Sequence, residues 1–262
     1  MTTPFYIYAH RGGSCERDEN TWEAVEYTAS LPGIRLETDV RLTKDGKVIL
    51  FHDPYVERVL DGNGYVNELT WYELSKMRSP NGCRPALLSD VLEAFPQMHI
   101  NIDAKEDAVV DPLGKLIHRF DAVERVTVAS FSHKRLHRLR NYYMLYSSLS
   151  QYEIALLELG DSIYTKYAKK IGHRHLCQAA QVPLYYKKLH IASRRFIKAA
   201  HRVGLEVHVW TVNDEHLMTD LIGRGVDGII TDAPQLCRKV YRSRAMNPEG
   251  NSINGLGKKT NR

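Results

Sequence analysis

Cysteine is scarce in this chain, and the four present, Cys15, Cys83, Cys177 and Cys237, lie far apart with no Cys-x-x-Cys spacing. Scattered thiols of this kind argue against a disulfide framework and fit a reducing, cytoplasmic setting. No basic start followed by an apolar segment precedes Tyr8, so nothing reads as a secretory signal. A run of about 18 apolar residues is also missing, which excludes a membrane-spanning helix on hydropathy grounds. Neither sign of charge dominates: 36 Lys and Arg face 31 Asp and Glu, a net charge of +5 spread along the chain. Such a balance attracts anions weakly and does not indicate dedicated nucleic-acid binding. No internal repeat is evident.

Present instead are short clusters of chemistry-bearing residues: HRGG at 10–13, ENT at 19–21, LETDV at 36–40 and FHD at 51–53. Period-two alternation in FYIYAH puts Phe5, Ile7 and Ala9 on one strand face and Tyr6, Tyr8 and His10 on the other. In IRLETDVRL, Ile34, Leu36, Thr38, Val40 and Leu42 form one face, opposed by Arg35, Glu37, Asp39 and Arg41. Two acids in front of an apolar back are poorly explained as core, because buried charge is costly unless paired or metal-bound. The pattern returns in HINIDAK, where Asn101, Asp103 and Lys105 oppose Ile100, Ile102 and Ala104. Glu37, Asp39 and Asp103 are therefore candidate ligands. With no Cys or His cage around them, they favour a hard divalent cation, Mg²⁺ or Ca²⁺, over Zn²⁺. Pairing of Glu37 and Asp39 with Arg35 and Arg41 is the competing reading, and Lys105 can equally serve to balance the acids.

Along the chain, strands alternate with helices. Thr21 caps a predicted helix through Ser30, and Asp45–Gly46 reads as a hairpin turn into VILFHD. Residues 54–85 lack apolar periodicity and read as an insertion beside the active face. Next come a helix around Leu88 to Phe95, a strand at Ile100 to Ala104, a helix around Val109 to Phe120, a strand at Arg125 to Ala129 and a helix from Lys134 to Arg140. Between Tyr142 and Tyr186 the pattern predicts strands near Met144 to Ser148, Ser162 to Tyr164 and Cys177 to Val182. A helix from Ser193 to Val203, the strand EVHVWTV, a helix from Glu215 to Arg224, the strand DGIIT and a helix from Pro234 to about Ser243 complete the set. Alternation of this kind implies a parallel sheet and an α/β class fold, and the number of units suits an eight-stranded TIM (β/α)₈ barrel over 1–243, with 244–262 a polar, disordered tail. The basic stretch Lys187 to Arg202 falls on a predicted outer helix and reads as a solvated face.

Together HRGGSCERDENT, ETDV, TKDG and FHD, followed by TWYEL, PALLSDVLE, NIDAK, Ser130–Phe131, VHVWTVND and GVDGIITDAP, resemble the glycerophosphodiester phosphodiesterase family from about Tyr8 to Leu236. Two positions depart from the family pattern. Asp18 stands where proline is usual, a change expected to touch loop stiffness only, and Asp103 stands where glutamate is usual, which shortens a presumed ligand. The resemblance implies that His10 and His52 divide the acid and base roles, that Arg11 and Lys105 hold the phosphodiester, and that Trp210 lines a glycerol pocket. It further implies metal-dependent hydrolysis of a glycerophosphodiester to sn-glycerol 3-phosphate and an alcohol. A lysophospholipase D acting on lysophospholipids and a noncatalytic phosphate-binding barrel are the alternatives; the intact histidine pair speaks against the latter.

Overall fold

The computed structural model of the chain describes residues 5–172 and 174–246. Its strands are β1 (Tyr6–Ala9), β2 (Ile34–Leu42), β3 (Val48–Leu50), β4 (Ile100–Ala104), β5 (Val126–Ala129), β6 (Ser147–Ser148), β7 (Cys177–Pro183), β8 (Tyr185–Tyr186), β9 (Leu189–His190), β10 (Glu206–Trp210) and β11 (Gly228–Thr231). Parallel pairing runs β1-β2-β4-β5-β6-β7-β10-β11 and returns to β1, closing an eight-stranded barrel. The antiparallel β3 hangs on the end of β2 through the TKDG turn, where Thr43 N–H donates to Lys47 O at 2.9 Å and Gly46 supplies φ +76°. β8 and β9 form a separate hairpin beyond β7.

Helices pack outside the ring. Thr21 caps Trp22–Ser30 by accepting from Ala24 N at 3.2 Å, as its position predicts. Leu36, Val40, Ile102, Ala104 and Val128 face outward into one apolar cluster with the helices Leu88–Ala94, Val110–Arg119 and His133–Tyr143. Ile7, Val182, Val207 and Ile229 share a second with the helices at Asp161–Ile171, Arg194–Arg202 and Glu215–Arg224. Alternation then sends the polar set inward. Asn101 and Gln181, on β4 and β7, exchange amide hydrogen bonds of 3.3 and 3.0 Å inside the barrel. The lumen is thus polar, in contrast with the branched aliphatic filling usual for the fold.

Four sequence expectations are corrected. Residues 162–164 are not a strand but part of the helix Asp161–Ile171. Tyr164 and Ala168, four apart, are buried together, a helical spacing that a three-residue window conceals. The expected strand near Met144 shrinks to Ser147–Ser148, because the preceding helix runs to Tyr143 and Met144 turns the chain at φ +50°. There the buried Arg140 donates to Glu153 at 2.6 and 3.0 Å, fixing the short strand to the next helix. The last helix extends to Met246, beyond the expected boundary near 243; residues 247–262 of the expected tail lie outside the described residues. Lys187 and Lys188 sit between β8 and β9 rather than on the helix Arg194–Arg202. Residues 54–85 fold over their own small core of Val56, Leu60, Val66 and Leu74 against Ile49 and Phe51.

Candidate active site

Seven of the eight sequence-selected residues lie toward the C-terminal ends of β1, β2, β4 and β10 or in the segments just after them, and the eighth, His52, follows the antiparallel β3. In this fold, those ends are where function is built. After Ala9 the chain enters a tight turn in which Arg11, Gly12 and Gly13 adopt φ values of +52°, +86° and +91°. Gly12 is required twice over, since a Cβ there would meet Ala24 Cβ at 2.6 Å. The turn aims the Arg11 backbone N–H at Glu37 Oε2, 3.1 Å away, and its Nη1 at Glu19 Oε1, 2.9 Å away. Arg11 Nε lies 3.1 Å from Asp39 Oδ2, close enough for ion pairing although its angle does not make a hydrogen bond. Asn20, at φ +56°, donates to Asp39 Oδ2 at 3.2 Å and accepts from Thr38 at 2.7 Å, so Glu19 and Asn20 organise the loop by hydrogen bonding.

Asp39 and Asp103 are direct partners across the β2–β4 register, and Lys105 Nζ bridges them at 2.7 Å to each. Arg35 and Arg41 do not pair with Glu37 or Asp39: Arg35 donates to Tyr8 Oη, and Arg41 to Glu106 and the His52 carbonyl. Burial raises the Asp39 carboxyl, but Lys105 and Arg11 outweigh it and hold its pKa below the usual range. Asp103 is raised, chiefly by burial, and its Oδ1 is buried without a hydrogen-bond partner. Glu37 is pushed up to about 7 by burial and by the neighbouring Asp39 charge. Burial lowers Lys105, yet Asp103 and Asp39 more than compensate and its pKa is raised.

Each histidine is held from behind by an aspartate. His10 Nδ1 lies 2.6 Å from Asp232 Oδ1, while its Nε2 lies 3.9 Å from Glu37 Oε2. His52 Nδ1 lies 2.6 Å from Asp53 Oδ1, and Arg58 clamps Asp53 and Glu19 together. For His10, burial disfavours the imidazolium, but the bond to Asp232 and the charge of Glu37 prevail and raise its pKa. Asp232 is itself disfavoured by burial; hydrogen bonds from His10, Ser14 and Asn213 overcome this and bring it to about 2. Trp210 ends β10 with its ring edge-on to Phe131, centroids 5.8 Å apart, and Lys105 Nζ is 5.8 Å from the Phe131 centroid.

Asp232, Asn213, Asp53 and Arg58 carry no role in the sequence reading. Asp232 and Asn213 lie within GVDGIITDAP and VHVWTVND, whose strand-end positions are the signal available for them. Asp18 does more than change loop stiffness: it accepts from Ser79 Oγ at 2.5 Å, Asn81 N at 3.1 Å and Asn81 Nδ2 at 2.7 Å, fastening the first loop to the 54–85 segment.

Among the described residues, no group of three or more His, Cys, Asp or Glu side chains is arranged to hold a metal ion. The donor chemistry nevertheless fits a hard cation. Glu37, Asp39 and Asp103 offer oxygen alone, and Asp103 Oδ1 is buried without a hydrogen-bond partner.

Residues 10–236 match the Glycerophosphoryl diester phosphodiesterase family. A probable glycerophosphodiester phosphodiesterase of Mycobacterium tuberculosis is 31% identical over 244 residues, covering 90% of each chain. A lysophospholipase D of Rattus norvegicus is 26% identical, covering 86% of this chain and 82% of its own. An Oleispira antarctica phosphodiesterase, solved in complex with the product sn-glycerol-3-phosphate, superposes with a TM-score of 0.74 at 19% identity, covering 90% of this chain and 96% of that one. Barrel and family match agree: the chain belongs to the glycerophosphoryl diester phosphodiesterase family and is a phosphodiesterase acting on glycerophosphodiesters.

Proposed function

We propose that the enzyme releases sn-glycerol 3-phosphate and an alcohol from water-soluble glycerophosphodiesters, with His10 and His52 as the proton-transfer pair and a divalent cation, Mg²⁺ or Ca²⁺, held by Glu37, Asp39 and Asp103. The observation that carries this reading is the matched backing of the two imidazoles. Each has Nδ1 fixed by a carboxylate at 2.6 Å, which leaves Nε2 as the working nitrogen.

Arg11 and Lys105 supply the positive charge that receives the phosphodiester: the guanidinium as a fork of donors, the ammonium as a compact charge. One imidazole takes the proton from the glycerol hydroxyl adjacent to the ester, and that oxygen forms a new bond to phosphorus as the bond to the leaving alcohol breaks. The other imidazole donates a proton to the departing oxygen. Water then opens the resulting cyclic phosphate, with the proton transfers reversed. The cation, when bound, offsets phosphate charge and polarises the phosphoryl group. Trp210 and Phe131 give the glycerol moiety an apolar wall. Four free cysteines suit action in a reducing, cytoplasmic compartment.

Turnover of glycerophosphocholine, glycerophosphoethanolamine, glycerophosphoglycerol and a lysophospholipid, with metal varied, tests this. Activity confined to the lysophospholipid and dependent on detergent would replace the reading with a lysophospholipase D. The exposed Tyr55, Tyr65 and Tyr72 of the 54–85 segment are the feature that favours that second reading, although its aliphatic residues are turned into its own core.

A further inference from the structure

Beneath the Asn101–Gln181 pair, at the opposite end of the barrel from the histidines, lies a cavity of about 370 Å³ that the proposed reaction does not use. Tyr6 and Tyr8 of β1, Arg35 of β2, Gln178 of β7, and Glu206 and His208 of β10 line it. Arg35 stacks 3.7 Å above the Tyr6 ring and donates to Tyr8 Oη at 3.1 Å, but among the described residues no carboxylate lies within ion-pair distance of it. Tyr8 Oη, accepting from Arg35, has no other partner among the described residues, so its own proton is available. His208 is 2% exposed, its Nε2 lies 3.0 Å from Glu206 Oε2, and its Nδ1 is buried without a partner.

These groups define a complementary ligand. Arg35 and Tyr8 present donors that want an anionic oxygen, and Arg35 has spare guanidinium N–H groups. The other charged residues at the rim are compensated or spent: Arg125 donates to the carbonyls of Leu92, Phe95 and Met98, and Glu124 is exposed. We infer that this cavity is a second, noncatalytic site for an oxyanion, inorganic phosphate or a phosphate monoester, with its P–O⁻ oxygens on Arg35 and Tyr8.

Equilibrium dialysis of the full chain with labelled orthophosphate tests the inference, because the catalytic site can be removed separately. Two equivalents are expected to bind. Glycerophosphocholine should displace only one, and Arg11→Met should remove that same one. Arg35→Met should remove the other while leaving saturating turnover unchanged. A single equivalent, lost in Arg11→Met and kept in Arg35→Met, overturns the second site. Should Arg35→Met not fold, Gln178→Glu places a negative charge at the exposed mouth without touching the stacked tyrosines. It should weaken the second equivalent, and unchanged binding there overturns the site.

Discussion

Lys105 Nζ sits 2.7 Å from Asp103 Oδ2, and the other oxygen of that carboxylate is left buried with no hydrogen bond. A carboxylate half held by an ammonium and half unsatisfied is poised to accept a cation on its free side. Chelation is expected to abolish turnover and added Mg²⁺ or Ca²⁺ to restore it. Asp103→Glu should keep substantial activity, whereas Asp103→Ala should lose roughly 10²-fold or more, the upper end of what disturbing a metal site costs. Turnover measured in metal-free buffer with stepwise metal addition checks both. Equal rates for the two variants would remove Asp103 from the site.

His10→Ala and His52→Ala should each lower turnover by roughly 10² to 10⁴ while leaving the fold intact, the range for losing a positioned acid or base. On a nitrophenyl ester of glycerol phosphate, whose leaving group needs no proton, the variant lacking the acid recovers and the other does not. Fast hydrolysis of an analogue without the adjacent hydroxyl would show that water attacks phosphorus directly.

Asp232→Asn tests the backing of His10. Asp232 has a pKa near 2 in the folded chain, below its ordinary 3.8, so its stabilisation is fully present above the unfolded value and is lost as pH falls from about 4 through about 2. The shift corresponds to on the order of 2 kcal/mol. His10 carries the opposite sign: its raised pKa contributes stability below the unfolded value near 6.5, lost as pH rises through the folded one. The variant should therefore show a flatter acid limb in denaturant unfolding between about pH 4 and 2, together with a lower His10 pKa by NMR titration. An unchanged His10 titration would mean that Asp232 does not set its charge.

Gly12→Ala and Gly46→Ala separate strain from crowding. Both glycines have positive φ, but only at Gly12 would the added methyl strike a neighbour, Ala24 Cβ at 2.6 Å. Gly46→Ala is expected to cost about 1 kcal/mol and Gly12→Ala about 2 to 4 kcal/mol by denaturant unfolding, with turnover falling in the latter alone. Equal losses would show that the first turn relaxes around the methyl.

Legibility in the sequence followed the range of the interactions concerned. The strand Ile100–Ala104 and the helix Glu215–Arg224 lie where periodicity places them, because alternation and capping are local. The inward set Glu37, Asp39 and Asp103 was readable for the same reason. Residues 162–164 misled because Ile163 and Tyr164 look alike in a strand and in a helix until Tyr167 and Ala168 are counted with them. Asp232 escaped because its partner His10 is 222 residues away, and nothing within either segment encodes the bond. Arg58 escaped because its worth lies in clamping Glu19 and Asp53, residues from two different loops.

The bond between His10 and Asp232 spans β1 and β11, the first and last strands, which meet only when the ring shuts. A chain still emerging from the ribosome, or one clipped ahead of Gly228, holds His10 without the carboxylate that orients it. The proton transfer proposed for His10 therefore requires the closed ring, and the onset of turnover during refolding is expected to report the moment at which the two ends of the sheet join.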